Sequence, residues 1–338
     1  GKYKLLPTLV QLQSDITSPF PPLDLMVHIG EISAASFNDT IPAKEVWRVS
    51  EDGELRDPFK KLTTVFQMSE EMFFLHYGKD GCNRHVLIDE CRELFGEIYE
   101  QIPELPFCNI WTAMQLSSRL PKGALFHMGV SNTRRCWNMF QLPESVESAC
   151  NVGCCGIDGC VSTLVGASLV NPDRLCYVVV GDLTFFYDLN SLGNHHIGTN
   201  LRVMLVNNGR GTEFRLGIHH CNVFGDDADK YMAAAGHFGN KSPLLVKHYA
   251  EDLGFHYLSA TTKEEFMTAL SNFTNPQLSD HSMILEVFTD SKDESEALYL
   301  MSHIQSDAKG MVRSKLKDAV RNVAGEKGIN AIKKILKK

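Results

Sequence analysis

The chain has 338 residues, 43% of them hydrophobic and 22% charged, which is long enough for two domains with full cores and too apolar for a disordered polymer. No apolar run approaches the ~20 residues that cross a bilayer. The formal net charge of −8 conceals a division: residues 306–338 hold ten Lys/Arg against three Asp/Glu, or +7, leaving −15 on the rest, and a body that acidic argues against nucleic acid as a partner.

Along the chain, the runs at 23–30, 44–50 and 62–68 are short, apolar and bounded by turn residues, and each predicts a buried strand. Three strands with little between them make an incomplete domain, placed at 1–80. Helical periodicity over 86–102 and 108–120 predicts a connector spanning 81–120. From Gly123 the rhythm changes. "GALFHMGVS" is a strand leading into the helix "NTRRCWNMF"; "DGCVSTLVGASLV" is a helix; "RLCYVVV", "NLRVMLVNN" and "HSMILEVFTD" are strands. This alternation predicts an α/β domain over 121–305, a parallel sheet flanked by helices, with ligands bound beyond the carboxyl ends of its strands. The tail 306–338 places Leu316, Val320, Val323, Ile329, Ile332 and Leu336 on one stripe opposite lysines. A basic amphipathic helix over 311–338 is able to lie on an anionic membrane surface. Gly325 and Gly328 interrupt it, and docking on protein or simple solvation is the preferred reading.

Two of these strands end in chemistry. One closes with Gly181-Asp182 and turns into a helix; another closes with Asn207-Asn208, followed by "GRGTEF". A carboxylate and a carboxamide at the carboxyl ends of neighbouring strands offer hard oxygen ligands, suited to Mg²⁺ with positions left for phosphate oxygens. The backbone N–H groups of Leu183 and Thr184 would face those phosphates. Both dipeptides also arise by chance, and Asn-Asn-Gly is a common turn; on the dipeptides alone the bland reading has even standing, and their placement at strand ends tips the balance.

Ten cysteines, several inside apolar stretches such as "FCNIW" and "RLCYVVV", suit a reducing cytoplasm better than a disulfide framework. Cys150, Cys154, Cys155 and Cys160 cluster ahead of His195, His196, His219, His220 and Cys221, but not at the spacings of a zinc knuckle, and buried thiols are the default. The loop 217–240, "GIHHCNVFGDDADKYMAAAGHFGN", has the glycines and acids of an active-site lid.

Gly-Asp followed by Asn-Asn resembles the diphosphate-binding signature of thiamine-diphosphate enzymes. Within that superfamily "GDLTFFYDLNSL", "GIDGCVSTLVGA", "GVSNTRR" and "NNGRGTEF" resemble the 2-succinyl-5-enolpyruvyl-6-hydroxy-3-cyclohexene-1-carboxylate synthase family of menaquinone biosynthesis. The resemblance implies thiamine diphosphate and Mg²⁺ as cofactors. Asp182, Asn208 and the carbonyl of Arg210 fall at its metal ligands. Gly156, Ile157, Gly181, Leu183 and Thr184 fall at cofactor-binding positions, with Ile157 as the bulky aliphatic under the bent cofactor, although by itself Ile157 reads as a core residue. Ser131 and Arg135 fall at contacts to a substrate carboxylate, a role for which a planar guanidinium is suited.

The implied activity is decarboxylation of a 2-oxo acid with carboligation to an acceptor, a transferase or lyase reaction, in a homodimer or tetramer. Two departures qualify it. Val152 stands where the family carries a further arginine, which places a dicarboxylate substrate in question. The pyrimidine-binding domain, with the catalytic glutamate, has no counterpart before Gly123, so the chain is expected to be a carboxyl-terminal portion or one subunit of a split enzyme, and inactive alone. The alternatives are an acetolactate-synthase-like or other 2-oxo-acid enzyme of a polysaccharide pathway, and a non-catalytic diphosphate-binding homologue.

Overall fold

The computed structural model describes residues 6–13, 23–30, 43–78, 86–153, 156–217, 219–231, 239 and 241–305. The first helix, α1 (Leu6–Gln11), precedes a small parallel sheet of β1 (Leu23–Ile29), β2 (Ala43–Ser50) and β3 (Leu62–Gln67), in that spatial order. These strands coincide with the three apolar runs to within a residue at each end, but they are not the buried strands expected: only His28, Val46, Arg48 and Val49 are buried, and the rest are half-buried or exposed. Helix α2 (Glu70–Tyr77) follows, and its N-cap Ser69 accepts a hydrogen bond from Met72 N–H at 3.3 Å. The periodic stretches after it form α3 (Val86–Glu100) and α4 (Asn109–Ser117).

The larger sheet is built from β4 (Leu125–Met128), β5 (Glu147–Cys150), β6 (Cys176–Gly181), β7 (Leu201–Asn207), β8 (His256–Ala260) and β9 (Met283–Phe288). Its order is β5-β4-β6-β7-β9-β8, and every pairing is parallel. Between the strands run α5 (Asn132–Trp137), α6 (Cys160–Leu169), α7 (Asp182–Asp188), α8 (Ala228–Tyr231), α9 (Leu245–Asp252) and α10 (Lys263–Phe273), and α11 (Ser291–Ser302) closes the domain. The α/β expectation is met.

Because successive strand residues point to opposite faces, each central strand feeds two cores. Tyr177 and Val179 join Phe126, Met204, Val206 and Leu285 on one face, covered by Trp137, Phe266 and Leu298. Cys176, Val178 and Val180 join Val203, Leu205 and Ile284 on the other, covered by Leu164, Phe185 and Val246. Burial on both sides is why these strands are almost uniformly apolar.

The order of the strands also locates a crevice. From β4 the chain moves outward to β5, then returns across β4 to β6 and continues the opposite way to β7. Loops leaving β4 and β6 therefore diverge, and the gap between them opens at the carboxyl edge of the sheet.

Candidate functional site

The residues singled out in the sequence converge on this edge. The β6–β7 ladder pairs Gly181 with Val206, so Asp182 and Asn208 lie just beyond the last rung on two adjacent strands. Asp182 is the first residue of α7 and only 2% exposed. The side-chain oxygen of Asn208, Oδ1, is buried without a hydrogen-bond partner, although the residue is only half-buried. Buried acceptors are ordinarily satisfied, and one left open beside a buried carboxylate fits a cation that takes oxygen ligands. Gly209 follows with φ +80°, a left-handed turn that a side chain would strain. The carbonyl of Arg210, the third implied ligand, accepts the Thr212 N–H at 2.9 Å, and the Thr212 hydroxyl is a second buried oxygen without a partner. The residues present thus fit a Mg²⁺ ion. The Leu183 N–H donates to Asp182 Oδ1 at 2.8 Å, within the turn that opens α7.

Behind the pair sits a residue that sequence reasoning missed. Glu286, on β9 and 1% exposed, accepts hydrogen bonds from Asn207 Nδ2 and from the Tyr257 hydroxyl, both at 2.7 Å. Burial pushes its carboxyl pKa upward against the pull of these two donors, and the nearby negative charge of Asp182 adds to the rise. Glu286 anchors Asn207 and thereby the start of the loop carrying Asn208. Its only sequence signal is a lone acid in the middle of an apolar strand, "MILEVF".

On the other side of the crevice, β4 gives way to Ser131, which holds φ +61° and ψ −123°. That is the conformation of the first central residue of a type II′ turn, ordinarily glycine, so a serine there is strained. One turn of α5 later, Arg135 forms a two-pronged ion pair with Glu213: Nη1 to Oε2 at 2.8 Å and Nη2 to Oε1 at 2.7 Å. Burial works to lower the Arg135 pKa, and the hydrogen bonds and charge of Glu213 outweigh it, leaving it raised. Glu213 lies in the short 3-10 turn Thr212–Arg215, directly after the loop carrying Asn208 and Arg210, and was not anticipated. The acid in "GRGTEF" is its sequence signal.

Gly156 and Ile157 occupy the turn between β5 and α6, and Gly159 caps α6 with φ +77°. Ile157 is half-buried and belongs to neither core, unlike the bland reading of it as a core aliphatic. Val152 is half-buried in the same connection.

No protein-family model matches the chain. Among curated proteins, it is 33% identical over 263 residues to the 2-succinyl-5-enolpyruvyl-6-hydroxy-3-cyclohexene-1-carboxylate synthase of Bacteroides fragilis, covering 76% of this chain and 45% of that protein. The figures for the enzyme of the same name from Phocaeicola vulgatus are 32% over 265 residues, 76% and 44%. For that of Christiangramia forsetii they are 33% over 199 residues, 59% and 33%. The chain is a partial-length homologue of these synthases. It spans less than half the length of the first two.

The remaining constellations of this synthase homologue are quieter. His195 and His196 are exposed, ring against ring at 3.8 Å. Among the described residues, no group of three or more His, Cys, Asp or Glu is placed to hold a metal, and Cys91, Cys108, Cys136, Cys160 and Cys176 are buried free thiols. Cys154, Cys155 and the tail 306–338 lie outside the described residues. Arg215, just ahead of the stretch expected to act as a lid, binds Asp229 within it at 2.8 Å and the carbonyl of Gly225, which ties that stretch to the turn bearing Glu213. No helix among the described residues is long and apolar enough to cross a membrane.

Proposed function

We propose that this chain forms the metal- and diphosphate-binding portion of a thiamine-diphosphate-dependent enzyme that decarboxylates a 2-oxo acid and joins the remainder to an acceptor, as in the menaquinone-pathway synthases. The observation that carries this reading is the pairing of a buried carboxylate, Asp182, with the unsatisfied buried Oδ1 of Asn208 at the ends of adjacent parallel strands. Asp182, Asn208 and the carbonyl of Arg210 would hold the Mg²⁺ through which a diphosphate is bound. Glu286 fixes Asn207 so that the neighbouring amide stays on station. Ile157, standing clear of both cores, supports the cofactor from the β5–α6 turn, while Ser131 and Arg135 flank the substrate side of the crevice. Bound thiamine diphosphate supplies the carbon nucleophile that allows carbon dioxide to leave a 2-oxo acid. The protein's share is a set of fixed charges and dipoles in a crevice from which water is displaced. Assembly as a homodimer or tetramer completes this reading.

The test is calorimetric titration of thiamine diphosphate with and without Mg²⁺, on the chain as wild type and as Asp182→Ala. Metal-dependent binding that disappears in Asp182→Ala is the expected result. Binding indifferent to metal, or equal in the variant, overturns the reading.

A further inference from the structure

Helix α6 begins without a cap of its own. Its N-cap, Gly159, holds φ +77°, a left-handed conformation that favours glycine, and glycine has no side chain to accept the free N–H groups of the first turn. One of these donors is met from another helix: the Ser162 N–H, third in α6, donates to Asp188 Oδ2 at 2.7 Å. An acceptor for that N–H ordinarily comes from the N-cap residue itself. A carboxylate there also suits the positive end of the helix dipole. The other flank of the turn is held by Asn151, whose Nδ2 donates to the Gly159 carbonyl and to Thr163 Oγ1, both at 3.1 Å. Asn151 and Gly159 are thereby joined, with Gly156 and Ile157 between them.

Asp188 is the last residue of α7, and Asp182 is its first. At the rise of an α-helix the two stand about 9 Å apart along one axis. The far end is anchored in its turn: the Ser191 hydroxyl donates to the Asp188 carbonyl at 2.7 Å, and the Tyr249 hydroxyl of α9 donates to the Leu189 carbonyl at 2.8 Å. One short helix therefore carries a buried carboxylate of the crevice at its start and, at its end, the acceptor that secures the start of α6. A hydrogen bond to an ionised acceptor is stronger than one between neutral groups, so the two helices are held in register at this point.

We propose that Asp188 is a positioning residue: by capping α6 from the end of α7 it holds the turn bearing Gly156 and Ile157 in a set relation to Asp182. Resting on the proposed function, this bond places the two parts of the cofactor site, the metal ligands on one side and the support at Ile157 on the other, in one frame. Asp188 is none of the proposed ligands and acts through Ser162.

The experiment is hydrogen–deuterium exchange on the full chain, read by mass spectrometry over 156–163 and 182–188. Wild type is compared with Asp188→Asn, which keeps an accepting oxygen, and with Asp188→Ala, which does not; Asp188→Ser, with its shorter reach, replaces an alanine variant that fails to fold. Without metal, 156–163 should exchange roughly fivefold faster in Asp188→Ala, the size of a lost cap, and at the wild-type rate in Asp188→Asn. Equal exchange in wild type and Asp188→Ala overturns the proposal, and so does an asparagine variant as fast as the alanine one. Mg²⁺ alone should then slow 182–188 and 156–163 together in wild type and Asp188→Asn, but only 182–188 in Asp188→Ala. Slowing confined to 182–188 in wild type overturns the proposal. Slowing in neither segment counts against the metal assignment, and the metal-free comparison then decides for or against the cap, so the two readings fail separately.

Discussion

Glu294, on α11 and 1% exposed, accepts the Asn109 N–H at 2.9 Å and the Thr289 hydroxyl at 3.0 Å through one carboxyl oxygen. Asn109 in turn accepts the Trp137 indole N–H at 3.0 Å, so one acid ties α11, α4 and α5 together. Burial, outweighing these donors, raises its pKa from 4.5 to about 7. The folded state therefore keeps a proton that the unfolded chain has released between those values, and stability contributed through this group falls as pH rises from about 4.5 to about 7, then levels. The shift corresponds to roughly 3 kcal/mol. Glu294→Gln keeps the accepting oxygen and removes the ionisation. Urea unfolding should find the variant gaining on wild type between about pH 5 and about pH 8; a constant difference across that range refutes the assignment. At this scale the sequence marks Asp182 and Asn208 well, since strand-end carboxylates and amides are visible in one dimension. Glu286, Glu294 and the Arg135–Glu213 pair are hidden, because each acquires its meaning from a partner dozens of residues away.

At the scale of elements, the turn from β4 into α5 carries its cost in one residue. Ser131 lies at φ +61° with no side-chain hydrogen bond capping the helix that follows. A non-glycine residue held there costs about 1–3 kcal/mol, and glycine loses about 0.5–1 kcal/mol of that advantage to its freer unfolded chain. Ser131→Gly should therefore raise the melting temperature, with a gain on the order of 1 kcal/mol in scanning calorimetry. A drop would mean that the hydroxyl supports α5 in a way the backbone conformation does not express. Strands β6, β7 and β9 were legible because they are buried on both faces and read as unbroken apolar runs. Strands β5 and β8 were not. Both are edge strands with partly exposed side chains, "ESAC" and "HYLSA", which leave neither a long apolar run nor a strict alternation. The small sheet departs from that rule: its three apolar runs mark its strands, yet most of their residues are half-buried or exposed.

At the scale of the molecule, the strand order gathers residues from the ends of β5, β4, β6 and β7 at one edge, which no single segment of sequence displays. The same sheet divides its interior in two, and the free thiols are divided with it: Cys91, Cys108 and Cys136 lie in one core, Cys160 and Cys176 in the other. Burial raises the pKa of all five, to about 11 for Cys176, so almost none is thiolate near neutral pH. Among the described cysteines, half-buried Cys150 and Cys221 should alkylate first in a mass-spectrometric time course, and the five buried thiols only as the fold opens in urea. Labelling of the five at the rate of Cys221 in native buffer would contradict the two-core packing. Each layer of the sandwich thus carries its own chemical timer, and the order in which the two sets are labelled tells which side of the sheet lets water in first.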